Sequence, residues 1–321
     1  GTINMIGRGS KVAQVGRHLE MLRRYFSFKK FFNLCRAFFC FLVGREKIPT
    51  MPAFLKVEVS RKCEMGCPLC WAYAKKEERF YPLDKFKRLI DLFSPWIFEV
   101  SLYDIGEPLW CENLNDYIRY AHQKRVGTSI STSLSLVKED SYWEDLVRSG
   151  LDCLIVAIDG ISKDVYKKYR RNGDLNLVMA NLEKILAARK KYRAKLVIEW
   201  QMIDFEWNRH EQDAACRMSR KMGIDIFRLI QNAIPPRFEA QKDREFLRKR
   251  NCLLPYIIFI VNVFNEVNPC YKYYNEHMKI GDLEKESFAE IWNGENIAQI
   301  RSPRLIRQRK ICNKCFEASL F

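Results

Sequence analysis

The run Phe54-Leu55-Lys56-Val57-Glu58-Val59-Ser60-Arg61-Lys62-Cys63-Glu64-Met65-Gly66-Cys67-Pro68-Leu69-Cys70-Trp71 decides how the rest of the chain is read. Its apolar first half, Phe54–Val59, reads as a strand. A C-x3-C-x2-C loop begins just after it. Three thiolates this close in sequence can wrap three corners of a 4Fe–4S cube, leaving the fourth iron without a protein ligand. Gly66 and Pro68 let the loop curl. A zinc site wants a fourth ligand. The nearest histidines, His18 and His122, lie far along the chain.

Beyond this loop the pattern repeats. Strand-like runs recur at Ile97–Leu102, Thr128–Thr132, Leu154–Ile158, Leu196–Met202 and Ile226–Ile230. Helical patterns lie between them, at Leu83–Phe93, Leu114–Gln123, Ser141–Arg148, Leu177–Tyr192 and Glu211–Met222. Repeated βα units imply a parallel sheet with helices outside, because parallel strands need crossovers. Six units fall short of a closed (β/α)8 barrel. The expected fold is therefore α/β, a partial (β/α)6 TIM-type barrel over residues 51–240. Ligands in such sheets sit at the carboxyl ends of the strands. The charged segment Arg237–Arg250 reads as a helix or linker. Residues 241–321 change character and form a small C-terminal α+β unit.

Residues 1–50 read as a basic, aromatic, helical extension. Between positions 11 and 45, phenylalanines interleave with lysines and arginines. One reading is an amphipathic helix lying on a membrane. The preferred one is a helix packed across the barrel with its lysines outward.

The chain has 321 residues, 48% of them hydrophobic, which is ample for a core. Its net charge of +16 favours anionic partners, or simply gives a basic solvated surface. No stretch reaches the ~18 apolar residues of a transmembrane helix. Residues 1–10 hold no long apolar run, so no secretion signal is expected. Twelve cysteines in tight spacings then point to a cytoplasmic metal-binding protein rather than a secreted disulfide one. Cys252, Cys270, Cys312 and Cys315 would saturate an iron–sulfur cluster or a zinc ion, and spacing alone does not choose. Cys35, Cys40, Cys111, Cys153 and Cys216 remain. Core packing is the expectation for Cys153 and Cys216, and Cys111 is placed near the cleft.

The cysteine loop, its place after the first strand and Trp71 directly behind the third cysteine resemble the radical S-adenosylmethionine (SAM) superfamily. The resemblance implies that the open iron chelates SAM and that reductive cleavage gives a 5′-deoxyadenosyl radical. That radical abstracts a substrate hydrogen atom. It also implies an electron donor such as flavodoxin or ferredoxin. Gly106-Glu107-Pro108 closes the second strand and is similar to the family's G-G-E-P motif, with Ile105 for the first glycine. By that likeness Glu107 accepts from the SAM ammonium and Gly106 keeps the backbone close. Val156-Ala157-Ile158-Asp159-Gly160 resembles the S-x-D-G segment, with Ala157 for serine. Arg170 then matches the arginine that reaches the SAM carboxylate. Gln201 stands where a polar side chain faces the ribose.

Asn268-Pro269-Cys270, Ile280-Gly281-Asp282-Leu283, Ser287 to Gly294 and the final C-x2-C resemble the SPASM extension or its shortened twitch form. Four cysteines imply the twitch form, with one auxiliary 4Fe–4S cluster. The resemblance spans Phe54 to Cys315. It leads to oxidation of a small polar or anionic metabolite, such as a sugar, aminocyclitol or nucleotide-linked alcohol. Peptide modification fits less well, because residues 1–50 are too short and helical for a leader-binding domain. A lipid-linked substrate is the reading suggested by the aromatic N-terminal helices. A zinc-binding nucleic-acid module leaves the Gly106-Glu107-Pro108 placement unexplained, so no nucleic acid is expected as partner. Arg228 lies among apolar strand residues. It is read as a substrate contact or as half of a buried ion pair with a helix carboxylate.

Overall fold

The computed structural model describes residues 10–68, 70, 77–231, 252–270 and 279–303. Six strands lie parallel: β1 (Phe54–Val57), β2 (Glu99–Ser101), β3 (Gly127–Thr132), β4 (Cys153–Ala157), β5 (Val197–Asp204) and β6 (Ile226–Gln231). Their spatial order follows the sequence. Before them come helices α1 (Ser10–Arg24) and α2 (Phe28–Leu42). Between them lie α3 (Leu83–Phe93), α4 (Leu114–Gln123), α5 (Asp140–Arg148), α6 (Lys163–Tyr169), α7 (Leu175–Lys191) and α8 (Gln212–Lys221). The expected βα alternation is there, within a residue or two at most ends. Helix α6 was not expected, because seven residues are too few to show a 3.6-residue period.

The C-terminal segment does not stand apart from the sheet. After α9 (Leu254–Ile257), strand β7 (Ile258–Val261) pairs in parallel with the whole of β1, from Phe54↔Ile258 to Val57↔Val261. Strands β8 (Glu266–Asn268) and β9 (Gly281–Asp282) continue antiparallel. The result is one sheet in the order β6-β5-β4-β3-β2-β1-β7-β8-β9. Helices α10 (Phe288–Trp292) and α11 (Glu295–Arg301) follow it. The Arg237–Arg250 segment lies outside the described residues.

Strand periodicity sorts the two faces. Leu154 and Val156 of β4 join the main core under the outer helices. Cys153 and Ile155, on the other face, pack with Met21 of α1 and with Tyr25 just after it. Helix α1 is thus a packed helix that covers the inner face of the barrel. Arg17 of α1 reaches Glu199 of β5, Nη1 to Oε2 at 3.1 Å, with both side chains buried. Tyr25 Oη donates to Asp152 at 2.8 Å, just before β4.

Helix α2 is hooked to the same end of the sheet. Lys30 Nζ donates to the carbonyl of Arg125 at 2.8 Å, ahead of β3. Asn33 exchanges two hydrogen bonds with the backbone of Met51, ahead of β1. Helix α2 therefore sits at the amino ends of the strands. Among the described residues no helix is long and apolar enough to cross a membrane.

Candidate active site

The cysteine loop leaves the carboxyl end of β1 and is tied at its base. Glu58 is fully buried, and Arg61 takes its carboxylate with a two-pronged fork, Nε at 2.9 Å and Nη2 at 2.5 Å. The amide of Val263 donates to the same carboxylate at 3.2 Å. A bidentate guanidinium–carboxylate pair fixes orientation as well as charge, so the loop starts from a rigid post. Arg61 Nη1 also reaches Glu77 at 3.1 Å, which draws the returning chain to the same post.

Further along, Gly66 has a φ of +63°. That left-handed turn curls the loop between Cys63 and Cys67. A β-carbon on Gly66 would lie 2.8 Å from Asn172 Nδ2. Asn172 is the clamp on this loop: its amide donates to Met65 O at 3.1 Å and its side chain to Glu64 O at 2.8 Å.

The Gly106-Glu107-Pro108 segment runs directly along the cysteine loop. A β-carbon on Gly106 would sit 2.2 Å from Ser60 O and 2.7 Å from Arg61 Cα. The amide of Glu107 donates to Lys62 O at 2.9 Å. Cys70 Sγ lies 3.8 Å from Ile105 O.

Glu107 is itself held within the protein. Both of its buried carboxylate oxygens are filled by protein donors. Oε1 accepts from Thr132 Oγ1 at 2.6 Å and Leu109 N at 3.2 Å. Oε2 accepts from Ser133 N and Oγ, each at 2.7 Å. Here the carboxylate ties the segment after β2 to the end of β3. Burial pushes its carboxyl group up, against these donors. Glu107→Gln is expected to cost ~1–3 kcal/mol, because either amide rotamer leaves one backbone N–H without an acceptor. An unchanged melting temperature would show that the carboxylate is not this hub.

Asp159 follows β4 and grips Arg170, Nε to Oδ2 at 2.7 Å. Arg170 Nη1 then lies 3.6 Å from Cys67 Sγ. The arginine is enclosed rather than on the surface. Burial pulls its guanidinium down, but Asp159 and Cys67 hold it well above its ordinary value. Burial pushes the Cys67 thiol up, and Arg170 opposes that. Asp159 Oδ1 is in turn fixed by the amide of Ile203 at 2.7 Å.

Register puts Ala157, Gln201 and Arg228 side by side on β4, β5 and β6. Arg228 donates to Glu199 Oε1 and to Gln201 Oε1. The expected ion pair is present, but its carboxylate comes from the neighbouring strand rather than from a helix. Arg17 approaches that carboxylate from the other side.

Of the C-terminal cysteines, Cys252 precedes α9 and Cys270 follows β8, both partly exposed. Cys312, Cys315 and Trp71 lie outside the described residues. Cys111 is buried, and burial pushes its thiol up to about 11. Asn172, Thr132, Ser133 and Arg17 were missed by sequence reading. Asn172 lies two residues after Arg170, the nearest residue to it that the sequence singled out.

The residues present fit a cluster and a bound SAM. Cys70 lies near both Cys63 and Cys67, and Cys67 lies beside the enclosed Arg170. Among the described residues no three His, Cys, Asp or Glu groups converge as the ligands of a single ion do. Thiols clasping separate corners of a cube need not. The Tyr166 hydroxyl is buried without a hydrogen-bond partner among the described residues, close to Arg170, Asp159 and Cys67.

Comparison with known proteins agrees. The radical SAM superfamily model matches residues 57–198, and an iron–sulfur cluster-binding domain model matches residues 252–316. The chain is similar to GTP 3′,8-cyclase of Clostridium botulinum, 24% identical over 42% of this chain and 43% of the cyclase. It therefore spans less than half the length of the first curated relatives it matches. It is 22% identical to the S-adenosyl-L-methionine-dependent 2-deoxy-scyllo-inosamine dehydrogenase of Niallia circulans, over 84% of this chain and 94% of that one. Among solved structures, Streptococcus suis SuiB bound to S-adenosylmethionine superposes with a TM-score of 0.63 at 12% identity, covering 78% of this chain and 68% of SuiB. SAM, a SAM-binding 4Fe–4S cluster and an auxiliary iron–sulfur cluster are the cofactors these two domains imply. Together the two domain models cover more than half of the chain, which belongs to the radical SAM superfamily and carries a C-terminal iron–sulfur cluster-binding domain.

Proposed function

We propose that this enzyme dehydrogenates an alcohol of a small polar, anionic metabolite of the sugar or aminocyclitol class. The observation that carries the reading is the near full-length similarity to an aminocyclitol dehydrogenase. The polar inner face supports it: Lys56 pairs with Asp104 at 2.5 Å, and Gln201 and Arg228 lie level with Ala157. When bound, SAM with its cluster supplies hydrogen-atom abstraction, and the auxiliary cluster supplies an electron acceptor. Loss of one hydrogen atom, one electron and one proton turns the alcohol into a ketone.

The chain's own residues divide the work. Cys63, Cys67 and Cys70 would hold the SAM-binding cluster, and Cys252, Cys270, Cys312 and Cys315 the auxiliary one. Arg170, fixed by Asp159, offers a cation to the SAM carboxylate. Gln201 has its carbonyl oxygen on Arg228, so its amide N–H groups are left to donate to the ribose. Arg228 holds Gln201 in place and borders the substrate. The +16 charge suits an acidic electron donor of the flavodoxin or ferredoxin kind. We place a peripheral membrane contact, through residues 11–45, at the opposite end of the barrel from the cysteine loop. A lipid-linked substrate is the weaker reading for that reason.

The test is anaerobic reconstitution followed by assay of 5′-deoxyadenosine with aminocyclitols, sugars and peptides. One ketone per 5′-deoxyadenosine from a cyclitol or sugar is expected. Stimulation by a peptide alone would overturn the proposal. Wild type should hold about eight irons per chain. Changing Cys63, Cys67 and Cys70 together to alanine should remove about half of the iron and all SAM cleavage, and full iron retention would refute this ligand set.

A further inference from the structure

Helix α2 is turned inside out. Its residues Phe28, Phe31, Phe32, Phe38, Phe39 and Leu42 recur at the spacing of one helix face. That stripe normally faces a core. Here all six side chains are 42–73% exposed. The opposite face is buried and includes Lys30 and Asn33, which hook the backbone of Arg125 and Met51. The inward polar hooks fix the helix in this orientation. Phe26, also exposed, extends the stripe, its ring centroid 5.5 Å from Phe28 and 5.9 Å from Phe31. An apolar strip about 22 Å long is more than scattered surface residues, and such patches mark interaction sites.

Charge selects the occupant. Between Met21 and Arg45 the chain carries Arg23, Arg24, Lys29, Lys30, Arg36 and Arg45 and no Asp or Glu. Lys29 and Arg36 are exposed beside the stripe. Pairing α2 with its own copy would set these cations against their equivalents, with no carboxylate on the helix to offset them. We infer that the α2 stripe docks on an anionic lipid surface, with its phenylalanines in the interface and Lys29 and Arg36 at the headgroups. The inference rests on the membrane contact proposed for residues 11–45 and names the side chains that make it. Because α2 sits at the amino ends of the strands, docking turns the cysteine loop away from the bilayer, toward soluble substrate.

Reconstituted enzyme is floated with phosphatidylcholine vesicles, with and without phosphatidylglycerol. Wild type should bind the anionic vesicles and release them at high salt. Changing Phe32 and Phe39 together to serine should weaken that binding by about tenfold or more, with unchanged melting temperature and basal SAM cleavage. If wild type ignores both vesicles, the membrane contact itself is wrong, and the stripe assignment falls with it. If the double variant binds as wild type does, the contact stands and the stripe assignment is wrong. If the variant melts earlier, or wild type sediments as a dimer that the variant loses, the stripe is covered by protein and the inference is overturned.

Discussion

Gly106→Ala is expected to empty the SAM-binding cluster site and to lower SAM cleavage by at least about a hundredfold. The physical reason is local. The new methyl group would lie 2.2 Å from Ser60 O and 2.7 Å from Arg61 Cα, both backbone atoms at the root of the cysteine loop. A side chain can swing away from such a clash more easily than a backbone carbonyl can. The root of the cysteine loop and the segment after β2 must move apart. The hydrogen bond from Glu107 N to Lys62 O, 2.9 Å long, is then lost, and Cys70 is displaced from Ile105. A shift of about 1 Å at reacting groups typically costs ~100-fold in rate.

Gly66→Ala makes a useful contrast. Its methyl group meets the tip of the Asn172 side chain, which can swing aside at the cost of its hydrogen bond to Glu64 O. The left-handed backbone adds ~1–2 kcal/mol for a residue with a β-carbon, and less for asparagine. Gly66→Asn should thus retain more iron than Gly66→Val, while Gly106→Asn should fare no better than Gly106→Ala. Iron content, read beside 5′-deoxyadenosine yield, checks both series. Normal iron in Gly106→Ala would show that the close approach is not needed.

Much of this site was legible because its signals are local. Three cysteines within eight residues, a glycine before Glu107 and an alternating βα pattern are all short-range features. What escaped reading depends on contacts distant in sequence. Nothing in the apolar run Ile258–Val261 says that it will pair with β1 rather than open a separate sheet. The acceptor role of Glu107 is visible only once Thr132 and Ser133 arrive from the end of β3. Asn172 has no sequence signature as a clamp, since its partners are backbone carbonyls at Glu64 and Met65. Helix α2 shows a different limit. Periodicity finds a stripe but not which side of the helix faces in. Here unmet carbonyls at Arg125 and Met51 decided it, by drawing Lys30 and Asn33 inward. Cys312 and Cys315 rest on sequence resemblance and on the iron–sulfur domain match alone.

Glu199→Ala should be the most destabilising single change on the inner face, at ~3–5 kcal/mol. Glu199 is completely buried between two guanidinium groups, Arg17 Nη1 at 3.1 Å and Arg228 Nε. Removing it strands two cations in a dry site. Glu99, the other carboxylate near Arg17, is already engaged by Ser129 at 2.5 Å and by His18 at 3.3 Å. Arg228→Ala should cost less, ~1–3 kcal/mol, because Glu199 keeps Arg17 and only part of its charge is uncovered. Its larger effect should be on SAM. Gln201 loses the donor that orients it, so the KM for SAM rises while the folded fraction keeps its clusters. Chemical denaturation of both variants, with iron content and SAM titration beside it, separates the two effects. Replacing Arg17, Glu199 and Arg228 together by methionine, leucine and methionine should recover most of the lost stability, since an apolar trio leaves no buried charge unpaired. If Arg228→Ala proves as costly as Glu199→Ala, Arg17 does not share the carboxylate, and α1 is not held to β5 by charge.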